Sequence, residues 1–139
     1  MYLPPNGAAN AAFLETLRLT LVHETRDRLG APYGLQLAFA TPRSWLLPGR
    51  QISVRNAPTS FGPVSYSIAA RSRSVQVEVS PPARAPRVFA LRLRLPAGAR
   101  LTGVTINARA WRSFDARTGT IELPRTASPI VLVARRSGA

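Results

Sequence analysis

Apolar residues recur at two periods along the chain, and the change from one to the other falls near Pro32. From Asn10 to about Arg28, Phe13, Leu14, Leu17, Leu21 and Val22 share one helical face, with Asn10 as an N-cap and Gly30 as a stop. A strand is the competing reading, because Leu17, Leu19 and Leu21 also alternate with Arg18 and Thr20. After Pro32 the text becomes short alternating runs separated by Pro, Gly, Asn and Ser, the pattern of antiparallel strands and their turns. These runs are Leu35, Leu37 and Phe39; Ile52 and Val54; Val64, Tyr66 and Ile68; and Val75, Val77 and Val79, the last two forming a hairpin across the polar turn Arg71 to Arg73. Beyond Pro81-Pro82, where the ladder lacks two donors, Phe89, Leu91, Leu93 and Leu95 alternate with Arg92 and Arg94 on the other face. Val104 and Ile106, then Ile121 and Leu123, follow. Ile130 to Val133 is apolar on both faces and therefore predicts a central strand.

About eight short strands without intervening helices predict an all-β fold, a two-layer antiparallel β-sandwich with one short N-terminal helix. The boundary falls near Leu29 to Pro32, giving an N-terminal extension and linker helix at 1–29 and the sandwich at 30–139. A helix of this length is marginal alone, so it must lie against the sandwich or against a partner. In the second case Phe13, Leu14, Leu17 and Leu21 form a domain interface, and an isolated fragment would pair with itself through them.

Composition narrows the function more by exclusion than by address. With 139 residues, 45% of them hydrophobic, the chain supports one core. It has no cysteine, which excludes disulfides, thiolate metal ligands and a cysteine nucleophile. No apolar run reaches the roughly 20 residues of a membrane span, and Met1 to Asn6 lack the basic start and apolar stretch of a signal peptide. The chain reads as soluble, with no membrane partner. The formal charge of +13 raises the prospect of polyanion binding. All 19 basic residues are arginine, however, in an Ala- and Pro-rich sequence, a bias that GC-rich coding produces without selection for nucleic acid. Arginines alternating with apolar residues also serve as the wet face of a sheet.

Candidate chemistry is sparse. The six acids are Glu15, Glu24, Asp27, Glu78, Asp115 and Glu122, and no two are placed as the carboxylate pair that most glycosidases need. Glu78, on the outer face between Val77 and Val79, is expected to pair with Arg92 or Arg94 on neighbouring strands. His23, the single histidine, stands four residues before Asp27 and predicts a surface pair on the helix. Catalytic and metal sites are therefore not expected, and neither is a cofactor. Trp45, between Pro42 and Pro48, reads as a plug beneath a loop. Trp111, flanked by Arg109 and Arg112 and close to Phe114, reads as half-exposed, so that Trp111 and Arg112 are the candidate carbohydrate contacts.

Several segments together carry a resemblance. Tyr33 to Leu46 resembles the junction that follows the last barrel helices in multi-domain bacterial glycoside hydrolases, and Ala57 to Tyr66 resembles the next segment of the same domain. Val104-Thr105-Ile106-Asn107, Phe114-Asp115 and Thr118 to Leu123 resemble its closing hairpin. The likeness runs from about Phe13 to Val133 and points to the C-terminal β-sandwich accessory domain of bacterial (α/α)-barrel glycoside hydrolases. It implies a non-catalytic sandwich that packs on an upstream catalytic domain of the same polypeptide, which carries the acid and base. A carbohydrate-binding module is the alternative, and a polyanion binder the third reading. Ala108 departs from the pattern, in which glycine follows the asparagine, and leaves the turn type there open.

Overall fold

The N-terminal helix ends sooner than its apolar spacing predicts. In the computed structural model, which describes residues 7–138, helix α1 spans Gly7–Leu21 and passes directly into strand β1, Val22–Arg26. Asn10 therefore lies inside the helix and does not cap it. Gly30 closes the turn from β1 to β2 (Pro32–Leu37), with its amide on the Asp27 carbonyl at 3.0 Å. Met1 to Asn6, read above for a signal peptide, lie outside the described residues. What stops the helix is competition for its last carbonyls, which have no partner within a helix. The Leu21 carbonyl accepts the Ala38 amide at 2.8 Å and the Tyr66 hydroxyl at 2.7 Å, and the Thr20 carbonyl accepts the Ala40 amide at 3.1 Å. Val22 to Arg26 then pair with β2, so strand structure begins before the boundary expected near Leu29 to Pro32.

The remaining strands are β3 (Gln51–Ala57), β4 (Val64–Ala70), β5 (Ser74–Ser80), β6 (Val88–Arg92), β7 (Arg100–Ile106), β8 (Arg109–Trp111), β9 (Phe114–Asp115), β10 (Thr120–Glu122) and β11 (Ile130–Ser137). A 3₁₀ turn, Arg43–Leu46, separates β2 from β3. The expected sandwich is present: a five-stranded sheet in the order β1-β2-β6-β10-β9 faces a six-stranded sheet in the order β3-β4-β5-β11-β7-β8. All pairings are antiparallel except β2 with β6, which run parallel. The β4–β5 hairpin and the central place of β11, between β5 and β7, agree with the sequence reading. Eleven strands stand among the described residues where about eight were expected, β1, β8 and β9 being the additions.

Alternation puts Leu35, Leu37, Leu91 and Ile121 from one sheet against Val64, Ile68, Val77 and Leu132 from the other, all buried in one core. Each such side chain contributes about 1.5–3 kcal/mol of transfer free energy. At Ala38 the alternation breaks. Its positive φ of 52° turns the chain over, so Ala38 is buried and Phe39, expected inward with Leu35 and Leu37, emerges on the outer face of the five-stranded sheet.

Asn107 and Ala108 form the two-residue loop between β7 and β8, with Ile106 opposite Arg109 and φ values of 48° and 65°. Two positive φ values define a type I′ hairpin turn, so Ala108 keeps the turn geometry at a steric cost. Ala108→Gly should stabilise the domain by about 0.5–1 kcal/mol, the left-handed penalty on alanine outweighing the extra freedom glycine adds to the unfolded chain. A urea titration with unchanged slope and a raised midpoint is the expected readout; a lowered midpoint would contradict the turn assignment.

Candidate functional site

Two surfaces stand out once the sandwich is in place. The first is the helix. No residue of α1 is buried, and Phe13 and Leu14 are 68% and 63% exposed, with Leu17 and Leu19 also open. The C-terminal end of α1 engages the sandwich: Leu21 packs on the core, the Arg18 guanidinium donates to the Pro58 carbonyl, and Arg18 pairs with Glu24 at 3.8 Å. Leu21 therefore anchors the helix, and of the four candidate interface residues Phe13, Leu14 and Leu17 are the ones left open. Beside them, Leu17, Leu21, Trp45 and Ile52 line a groove of about 540 Å³ with Arg50 and Ser44. Trp45 lies on the 3₁₀ turn, half-buried and packed on the core, which agrees with a plug that keeps one side toward solvent. The Tyr66 hydroxyl donates to the Leu21 carbonyl beside this anchor, and burial pushes its pKa well above the ordinary tyrosine value, so it remains a donor.

The second surface is the outer face of the five-stranded sheet. Cross-strand register sets His23, Gln36, Ala90 and Glu122 in one row and Arg92, Thr120 and Asp115 in the next. His23 was expected to pair with Asp27 on a helix. It lies instead on β1 and stacks on Phe39, with ring centroids 4.7 Å apart and planes within 16°. The Asp27 carboxylate accepts the Leu29 and Ala31 amides, both at 2.9 Å, and so holds the following turn. The Arg92 guanidinium lies over the same Phe39 ring at 5.8 Å. Gln36, Phe39, Ala90, Arg92, Thr118 and Thr120 enclose a cleft of about 130 Å³.

The expected pairing of Glu78 with Arg92 or Arg94 does not occur. Glu78 is on β5, whose neighbours are β4 and β11, whereas Arg92 and Arg94 belong to the opposite sheet and the segment after it. Arg94 donates to the Thr41 carbonyl at 3.3 Å. Trp111 sits on β8, half-buried and packed against the core, and its indole N–H donates to the Glu122 carbonyl at 2.8 Å. That bond crosses from the edge of one sheet to an edge region of the other. Arg112 is exposed beside a shallow groove of about 340 Å³ that it shares with Ser113, Phe114, Asp115, Thr120 and Glu122. The Asp115 carboxylate accepts the Thr118 and Arg117 amides, at 3.0 and 2.8 Å, and these bonds hold its pKa below the usual value.

Among the described residues no three His, Cys, Asp or Glu side chains are grouped as metal ligands, and no helix is long and apolar enough to cross a membrane. No protein-family model, curated protein or solved structure matches this chain. The cleft on the sheet escaped the sequence reading because Phe39 and His23 were both assigned to other places. No local signal marks it, because Ala38 takes its positive φ without the glycine or asparagine that usually announces one.

Proposed function

We propose that this chain is a non-catalytic accessory sandwich of a glycoside hydrolase, which docks through α1 on an upstream catalytic domain of the same polypeptide. The observation that carries the docking role is the open apolar face of α1: Phe13, Leu14 and Leu17 project from a helix whose last turn packs on the sandwich. Large apolar side chains side by side on a surface mark a partner site, and a marginal helix gains its stability from what covers it. The glycoside hydrolase context rests on the resemblance of Tyr33 to Leu46 and Ala57 to Tyr66. A carbohydrate-binding role is the second reading, favoured by the groove beside Arg112 and Phe114. It is the weaker one, because Trp111 is half-buried and its indole N–H is already engaged.

The test is the double substitution Phe13→Glu and Leu14→Glu. Binding in trans to the domain encoded immediately upstream should weaken by at least about 100-fold, or about 2.7 kcal/mol. The melting temperature of the isolated sandwich should move by less than about 2 °C, as expected of exposed positions. Wild-type chain alone should self-associate in sedimentation, and the double variant should be monomeric. An upstream coding region without a catalytic domain, or binding unchanged by the two glutamates, would overturn the proposal.

A further inference from the structure

We infer that the outer face of the five-stranded sheet carries a binding site for a single carboxylate group, built around Arg92. Arg92 projects from the end of β6 into the cleft formed with Gln36, Phe39, Ala90, Thr118 and Thr120. Among the described residues its guanidinium makes no hydrogen bond and no ion pair, and its Nε is shut away from solvent. The other two arginines with a buried, unpaired Nε are each tied down elsewhere, Arg94 to the Thr41 carbonyl and Arg136 to the Leu46 and Arg71 carbonyls. Arg92 has only the face of Phe39, at 5.8 Å. That contact offsets part of the desolvation of a cation but satisfies none of its N–H donors. A planar oxyanion entering the cleft would accept from the Nη donors, the Nε remaining enclosed.

The surroundings select the anion. The Gln36 amide and the Thr120 hydroxyl add neutral donors, and the Thr118 hydroxyl, donating to Thr120 Oγ1 at 3.1 Å, orients the latter. Asp115 shares a register row with Thr120 and Arg92, and Glu122 stands on the same outer face. These two carboxylates on the same face repel a multiply charged phosphate more strongly than a monoanion, which makes the monoanion the fitting guest. At about 130 Å³ the cleft is well below the roughly 300 Å³ from which drug-sized ligand pockets begin, so it takes a carboxylate-bearing head group and not an oligosaccharide. The Phe39 ring that the Arg92 guanidinium overlies is itself stacked on His23. This site is separate from the α1 surface and does not depend on the docking role.

The carboxylate could belong to a sugar acid or to a simple organic acid, and one titration distinguishes them. The isotope-labelled chain is followed by amide NMR at constant ionic strength with acetate, glucuronate, glucose and phosphate. Acetate and glucuronate should produce saturable shifts centred on Gln36, Ala90, Thr118 and Thr120, glucose none, and phosphate weaker ones. Tighter binding of glucuronate than acetate would assign the site to a sugar acid; equal binding would assign it to the carboxylate alone. Arg92→Gln should weaken either ligand by at least about tenfold, since a charge-assisted pair is lost. Shifts spread evenly over the arginine-rich surface, no saturation, equal binding of glucose, or binding undiminished in Arg92→Gln would each overturn the inference. If Arg92→Gln does not fold, the location of the shifts in the unaltered chain decides.

Discussion

Gly119→Ala should be among the most damaging single substitutions in this domain, costing about 3 kcal/mol or more of a total stability of about 5–15 kcal/mol. Gly119 sits in the turn between β9 and β10 with a φ of 73°, and a Cβ built there would lie 2.0 Å from the Leu93 carbonyl oxygen. The obstacle is backbone, which cannot swing aside as a side chain does. It is also functional backbone, because the Leu93 amide donates to the Gly119 carbonyl at 2.8 Å and so ties the β9–β10 turn to the chain leaving β6. Leu93 itself is buried in the core. Moving the two segments apart to admit a methyl group would break that bond and loosen the packing on either side. Gly98→Ala is the control: its φ is 83° but nothing lies within 4 Å of the added atom. That variant should lose only the conformational penalty of about 1–2 kcal/mol. Chemical denaturation of the two variants side by side checks the claim, and equal losses would show that the close approach to Leu93 is not real. Because Thr118 and Thr120 flank Gly119 and line the Arg92 cleft, the same substitution should also abolish carboxylate binding.

The period-2 text was sufficient to place eight strands and the core face of most of them, because a strand with one buried face must alternate. Strands β8 and β9 are three and two residues long, too short for any period to register. Strand β1 was hidden differently. Val22 continues the apolar spacing of α1, and the helix ends only because Ala38, Ala40 and Tyr66, distant in sequence, claim its final carbonyls. Sheet membership was equally out of reach, since nothing local says that β5 neighbours β11 while β6 neighbours β2 and β10. That is why Glu78 and Arg92, adjacent in the linear reading, end up in different sheets. The exposed side chains of α1 were legible as a face without a partner. The Arg92 cleft was not, since it depends on a parallel pairing and on the inverted backbone at Ala38.

Arg136→Met should cost about 3 kcal/mol, although arginine near a chain end ordinarily reads as a solvated charge. The alternation of β11 places Ile130, Leu132, Ala134 and Arg136 on the inward face, and Arg136 is only 6% exposed. Its guanidinium donates to the Leu46 carbonyl at 2.8 Å and to the Arg71 carbonyl, while its amide donates to the Arg73 carbonyl at 3.0 Å. One side chain thus fastens the end of the 3₁₀ turn and the β4–β5 hairpin turn to the last strand. Burial lowers its pKa from the usual arginine value, yet the group remains charged at neutral pH. Methionine keeps much of the apolar stem but leaves two inward carbonyls without donors, and that desolvation, more than lost packing, sets the cost. Lysine should recover about half of the loss, because an ammonium can satisfy one carbonyl well but lacks the planar fork that reaches both. Thermal and urea unfolding of the Met and Lys variants should therefore rank wild type above Lys above Met. A methionine variant as stable as wild type would mean that water replaces the guanidinium at both carbonyls, and that Arg136 fastens neither turn.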